Sequence, residues 1–264
     1  MKNRKILGVI GGGFMARAIL AGAFEKGLFS EDDILVCDPS EECRAYFSKR
    51  GIAVSDNNRD ALDCQYLLLS VKPQTFPAVA QELQGSKMPV TISIMAGKTK
   101  AGIRRATGAE KIARVMPNLP CSVGAGMTAV DASELSEEER AFVLGLFFSV
   151  GEVIETEESL LDAVTAVSGS GPAYIYLFLR ALIDAGVGQG LRREQAETLA
   201  FQTMAGGLTM ARTSGKTLDE LIAAVSSKGG TTVAALESFQ KDGFVQSVSH
   251  AVDAAAKRAR ELSE

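Results

Sequence analysis

The sequence has one histidine, His250, no tryptophan and only four tyrosines among 264 residues. Each scarcity removes a class of function. The four cysteines, Cys37, Cys43, Cys64 and Cys121, include no C-x-x-C pair and a single imidazole accompanies them, so no metal site is expected. Thiols so few and so spaced suit a reduced, cytoplasmic protein. Scarce aromatics leave no base-stacking platform, and a net charge of −4 leaves no long basic surface, so nucleic acid is not an expected partner. Long uncharged apolar runs are also missing. Even "AYIYLFLRALI" (173–183) carries Arg180, so no membrane span is expected. The opening "MKNRKILGVIGGGF" has the basic-then-apolar order of an export signal, but its apolar run is short, three glycines break it and Arg17 follows.

What remains is an ordinary globular composition, 46% hydrophobic and 23% charged, long enough for one large domain or two modest ones. Short apolar runs at 5–11, 33–38, 64–71 and 90–95 read as strands, and 110–118, 124–130 and 152–156 continue the theme. Helical patterns fall at 15–27, 41–51 and 135–151, the last opened by the capping box of Ser136 and Glu139. Strand and helix alternating at this spacing predict a mostly parallel sheet with helices on both faces. From about Leu160 every apolar pattern is helical, and Thr217 with Glu220 marks another capping box. The expected architecture is an α/β Rossmann-type domain over 1–162 followed by an all-α domain over 163–264.

The segment "GVIGGGFMARAI" contains G-x-G-x-x-A in Gly11, Gly13 and Ala16, between a predicted strand and a predicted helix. Gly11 permits the tight turn, Gly13 lets a pyrophosphate approach the backbone, and Ala16 lets helix and strand pack closely. Free N–H groups at the helix start can then bind the phosphates. Asp38 ends the second strand at about the 20-residue spacing of a ribose ligand. Its carboxylate suits the hydroxyls of NAD and opposes the 2′-phosphate of NADP. Neighbouring Ser40 offers only a neutral partner, and no arginine follows directly. Two "GKT" triplets, at 97–99 and 215–217, lack the upstream glycine of a nucleotide-phosphate loop.

Nicotinamide enzymes that oxidise alcohols need a general base. His250 sits inside the last amphipathic helical pattern, and the first helix of the second domain has no lysine. An imine needs less help. Once its nitrogen is protonated, its carbon accepts hydride directly, and the protein supplies geometry and a clamp.

Six segments carry a resemblance over essentially the whole chain: "IGGGFMARAI" (10–19), "SVKPQ" (70–74), "SIMAG" (93–97), "RVMPNLP" (114–120), "DAVTAVSGSGPAYIY" (162–176) and "VSSKGGTTVAAL" (225–236). The chain resembles the pyrroline-5-carboxylate reductases. That resemblance implies reduction of L-Δ1-pyrroline-5-carboxylate to L-proline with NADPH or NADH. It implies that Ile10, Gly11, Gly12, Gly13, Phe14 and Met15 wrap the pyrophosphate and that Asn57 touches the adenosine ribose. Ser70, Val71, Lys72 and Pro73 pass beside the coenzyme, with Met95, Ala96 and Asn118 near the nicotinamide. Ser227, Gly230 and Thr231 hold the substrate carboxylate, and Thr232 hydrogen-bonds the ring nitrogen as the catalytic residue. It further implies a homodimer, in larger rings for many members, with each active site formed between the coenzyme domain of one subunit and the helical domain of its partner.

Two positions depart from the family pattern. Phe14 stands where Asn or Gln is common, and Lys228 where Pro is frequent. Lys228 either reinforces a carboxylate site or is a solvated loop residue. Ser168 and Ser170 either cap a helix at a domain junction, where Gly169 and Gly171 permit a bend, or lie against the nicotinamide. Asn118 either caps its loop or touches the coenzyme. Ring size stays open, because one methylene is worth only about 1–3 kcal/mol in a pocket. A reductase of another cyclic imino acid and an inactive NAD(P)-binding regulator are the alternatives, and Asp38 favours NADH where the family more often takes NADPH.

Overall fold

The short runs of Leu, Ile and Val form strands. In the computed structural model, which describes residues 4–263, these are β1 (Leu7–Ile10), β2 (Ile34–Cys37), β3 (Ala53–Ser55), β4 (Tyr66–Leu69), β5 (Val90–Ser93), β6 (Ile112–Met116), β7 (Gly126–Asp131) and β8 (Gly151–Glu155). They build one sheet in the order β3-β2-β1-β4-β5-β6-β7-β8. The strands from β3 across to β6 run parallel, β7 lies antiparallel on β6, and β8 is parallel to β7. Every residue of β1 and β4 is buried, which is why these strands read as unbroken apolar runs. The strand order reverses between β1 and β4, so the chain leaves their carboxyl ends toward opposite faces and opens a crevice there.

Side chains alternate across the sheet. Leu7, Val9 and Leu68 point into a core with Ile19, Phe47 and Phe147, from α1 (Phe14–Glu25), α2 (Glu41–Ser48) and α5 (Glu137–Phe148). Ile10, Leu67 and Leu69 point the other way, onto Phe76, Leu83 and Ile103 of α3 (Phe76–Leu83) and α4 (Lys100–Thr107). Each such side chain contributes about 1.5–3 kcal/mol by leaving water. The capping box of Ser136 and Glu139 forms as expected. Three elements are absent from the sequence reading. β3 is three half-buried residues, α3 carries Pro77 as its second residue, which reads as a breaker although it is harmless in a first turn, and α4 is short and basic.

The chain divides into two compact units: the residues up to Ser170 together with those from Ala255 on, and Gly171–Ala254. The boundary expected at residue 162 therefore falls inside the first unit. Buried Arg114 of β6 faces Glu158 and Asp162, the Glu158 N–H donates to Asp131 Oδ2 at 2.8 Å, and Ala166 is fully buried. These contacts hold the segment to the sheet. At the other end of the chain, the Leu262 carbonyl stands 2.7 Å from where a Cβ on Gly97 would be.

The chain bends at Ser170, between Gly169 and Gly171, neither of which has a positive φ. Helical structure continues from α6 (Leu161–Val164) through a π-helical turn at Thr165–Gly169 into α7 (Gly171–Gly188). This corrects a second expectation. The 31-residue helical stretch Glu158–Gly188 contains a window of mean hydropathy 1.2, long and apolar enough by composition to cross a membrane. One arginine does not interrupt it.

The second unit comprises α7, α8 (Arg193–Thr213), α9 (Leu218–Ala224), α10 (Thr231–Lys241) and the first half of α11 (Phe244–Ser263). Thr217 and Glu220 form the expected capping box ahead of α9. Its buried residues are only Ile183, Ala196 and Ala200. Phe201, Leu208, Leu218 and Val245 are more than half exposed in the single chain. A bundle with so small an interior and so much apolar surface is built to be covered.

Candidate functional site

The loop after β1 is shaped by what its glycines touch. Gly11 has φ +93°, and a Cβ there would stand 2.7 Å from the Ser70 carbonyl. A Cβ on Gly12 would stand 2.6 Å from both Cys43 Sγ and Phe47 Cε2. Gly13 differs: a Cβ there would meet nothing within 4 Å. Gly13 is the N-cap of α1 and supplies no side-chain cap. The first helical turn closes with the Arg17 N–H on the Gly13 carbonyl, so the amides of Phe14, Met15 and Ala16 have no acceptor among the described residues. An exposed, unobstructed helix N-terminus with unpaired amides fits the pyrophosphate of a dinucleotide. The Phe14 side chain is exposed, so its amide remains available whichever side chain the position carries.

Asp38 follows β2, and its carboxylate is fixed by two backbone donors: Gly12 N–H to Oδ2 and Ser40 N–H to Oδ1, each at 2.9 Å. Sequence reasoning missed a cation here. Arg44, on the second turn of α2, folds back so that its Nη1 donates to the carbonyls of Asp38 and Pro39, both at 2.8 Å. Arg17 donates from Nε to the Gly12 carbonyl and stacks over Tyr46, whose ring also carries Arg50. The available signal was helical spacing: a residue one turn into α2 can reach the strand end that precedes it. Asn57, past the end of β3, accepts from the Arg59 N–H and donates to Asp60.

Ser70, Val71, Lys72 and Pro73 follow β4, with the Ser70 N–H on the Ile10 carbonyl at 2.9 Å and Lys72 exposed. Met95 and Ala96 follow β5, Met95 buried and Ala96 half-buried. Asn118 follows β6. Its Nδ2 donates to the carbonyl and hydroxyl of Ser168 at 3.2 and 3.4 Å, and its Oδ1 accepts the Met127 N–H at 2.9 Å. Asn118 therefore ties the π-helical turn to β7, and the Ser168 oxygens face this amide. All coenzyme candidates thus lie at the carboxyl edge of the sheet's parallel strands.

In the second unit, Ser227, Gly230, Thr231 and Thr232 sit together where the chain enters α10. Gly229 has φ +71°, and the Gly230 N–H turns back to the Ser227 carbonyl at 2.9 Å. Gly230 is the N-cap and offers no side chain, so the amides of Thr231, Thr232 and Val233 have no acceptor among the described residues. The Thr232 hydroxyl is half-buried and makes no hydrogen bond there either, whereas the Ser226 hydroxyl is tied to the Ile222 carbonyl. Three open amides at a helix N-terminus, beside the hydroxyls of Ser227, Thr231 and Thr232, suit a carboxylate with a polar neighbour. Lys228 is exposed.

No acid–base or nucleophilic group stands out. His250 is exposed on α11. All four cysteines are buried and free. Burial pushes the Cys37 thiol up to about 12 and Cys64 to about 11, and it raises Cys43 and Cys121 too. Thiols held there are poor nucleophiles near neutrality. Among the described residues no cluster of His, Cys, Asp or Glu could hold a metal ion.

Residues 158–262 match the family model described as pyrroline-5-carboxylate reductase dimerisation, and residues 6–97 match NADP oxidoreductase, coenzyme F420-dependent. A pyrroline-5-carboxylate reductase of Synechocystis is 40% identical over 262 residues, 98% of each chain. Among solved structures, a Plasmodium falciparum pyrroline carboxylate reductase with NADP bound matches with a TM-score of 0.88 and 31% identity over 100% of both chains. A pyrroline-5-carboxylate reductase from Coxiella burnetii matches at 0.89 and 33%, covering 99% of this chain and 100% of its own.

Proposed function

The chain belongs to the pyrroline-5-carboxylate reductase family, and from that premise we propose how its residues divide the work. The reaction is reduction of L-Δ1-pyrroline-5-carboxylate to L-proline, the last step of proline biosynthesis, with NADPH or NADH. The coenzyme supplies the hydride that ends on the imine carbon. The amides at the start of α1, reached past open Gly13, hold its pyrophosphate. The loops after β4, β5 and β6 border the nicotinamide, with Asn118 setting the position of the π-helical turn beside them.

The open N-terminus of α10 carries the substrate assignment. Its amides and the Ser227 hydroxyl hold the carboxylate, which favours the positive end of the helix dipole. The free Thr232 hydroxyl hydrogen-bonds the ring nitrogen. An imine whose nitrogen already carries its proton needs only hydride and no further proton donor, in keeping with a site assembled from amides and hydroxyls. The apolar surface of the second unit, α7 included, serves contact between subunits rather than a bilayer. The chain is a homo-oligomer through this unit, and we assign each active site to the first unit of one subunit and the α10 loop of its partner. Dimers joined in a larger ring would extend the same contacts. Four unpaired thiols suit the cytoplasm.

Given pyrroline-5-carboxylate, the purified protein should consume NAD(P)H and form proline. No turnover at any pH near neutrality, or turnover only with the six-membered homologue, would refute the substrate assignment. Thr232→Ala should lower kcat/KM about tenfold to a hundredfold, the loss of one hydrogen bond to a charged group. Unchanged kinetics would remove Thr232 from the mechanism.

A further inference from the structure

Resting on the reading of this chain as an NAD(P)H-dependent reductase, we propose that Arg44 selects NADPH by pairing with its adenosine 2′-phosphate, while Asp38 is a strut of the loop. An acidic residue at the end of the second strand ordinarily marks a ribose ligand and a preference for NADH. Here the carboxylate has another task. One oxygen accepts the Gly12 N–H and the other the Ser40 N–H, so Asp38 spans the turns after β1 and β2 and fixes their spacing.

Arg44 has the complementary geometry. Two bonds from Nη1 to the carbonyls of Asp38 and Pro39 anchor it, and the residue is half-buried. Its Nε and Nη2 make no bond among the described residues, which leaves three N–H donors, including the planar edge that grips a phosphate with two parallel bonds. An anchored guanidinium loses little freedom when it binds. Ser40 stands beside it, its hydroxyl accepting only the long Cys43 contact at 3.3 Å, so its proton can also be donated. Arg17, stacked on Tyr46, adds a second cation over the Gly12 carbonyl. The opposing charges are Asp38 itself and the exposed Glu41 and Glu42 on the first turn of α2, where water and salt weaken them. A ribose hydroxyl would leave the charge of Arg44 without a partner; a 2′-phosphate supplies one.

Equilibrium titrations test this without the imine substrate. Adenosine 2′,5′-bisphosphate should bind at least about tenfold more tightly than AMP, and added salt should narrow the gap. Arg44→Ala should erase that preference and the matching one for NADPH over NADH, leaving AMP and NADH affinities within about twofold. Arg44→Gln, which can still reach a carbonyl but carries no charge, should lose the preference in the same way. Equal binding of the two probes by the unmodified protein would overturn the proposal. So would a parallel loss of both probes in Arg44→Ala, or a preference retained by Arg44→Gln. A protein that discriminates the probes through Arg44 yet fails to reduce pyrroline-5-carboxylate would refute the substrate assignment and leave this one standing.

Discussion

Lys100 and Asp131 are side chains of opposite charge, 6% and 7% exposed, that meet at 2.7 Å. Desolvating both is costly, and the pairing offsets the cost more than it adds stability. Burial pushes the Asp131 carboxyl up, but hydrogen bonds from Lys100 and from the Ser133 amide and hydroxyl outweigh it and hold the group below its ordinary 3.8. A carboxyl depressed in the folded state adds stability above its unfolded value and loses it as pH falls through the folded one. Unfolding midpoints in denaturant should therefore stay level from neutrality down to about pH 4 and fall only below that, as far as this pair is concerned. Asp131→Asn should cost about 3–5 kcal/mol at neutral pH, because Lys100 stays buried without a countercharge, and its acid loss should be shallower. Wild-type stability in that variant would show that Lys100 finds another partner.

At the scale of the element, neighbouring glycines of one loop have opposite jobs. Gly12 is packed under Cys43 and Phe47, whereas Gly13 faces open space with an ordinary φ of −70°. Gly12→Ala should destabilise the fold by about 1–3 kcal/mol through overpacking. Gly13→Ala should unfold as the unmodified protein does yet bind coenzyme more weakly, since the added methyl occupies the approach to the α1 amides. Thermal unfolding and coenzyme titration on both variants separate the roles; similar losses of stability in both would contradict the division. The entry to α10 repeats the device, a glycine N-cap ahead of unpaired amides. In both places no side chain caps the helix start, which leaves its first amides open.

At the scale of the whole molecule, the second unit is the element least able to stand alone. Three buried residues among five helices give it almost no interior, so its stability depends on association. Light scattering should find two or more chains per particle, and the unfolding temperature should rise with protein concentration. A single-chain particle with a concentration-independent transition would contradict the interface assigned to this unit.

The sequence by itself determined the α/β order and the glycine-led helix starts of α1 and α10. These are local matters: a fully buried parallel strand must be apolar along its length, and an uncapped helix start needs glycine where a side chain would intrude. The single histidine and four cysteines without a C-x-x-C pair also left few candidates for acid–base or metal chemistry. Other features followed from contacts between residues far apart in the chain. The bonds from the Gly12 and Ser40 amides to the Asp38 oxygens, and the return of Arg44 from α2 onto the carbonyls of Asp38 and Pro39, came only with the fold. The segment from Glu158 packs with the first unit because Arg114 and Asp131, distant in sequence, hold Glu158 against the sheet. Local pattern records which backbone conformation a segment can adopt; only tertiary packing decides which of its polar groups are already satisfied and which remain free to bind.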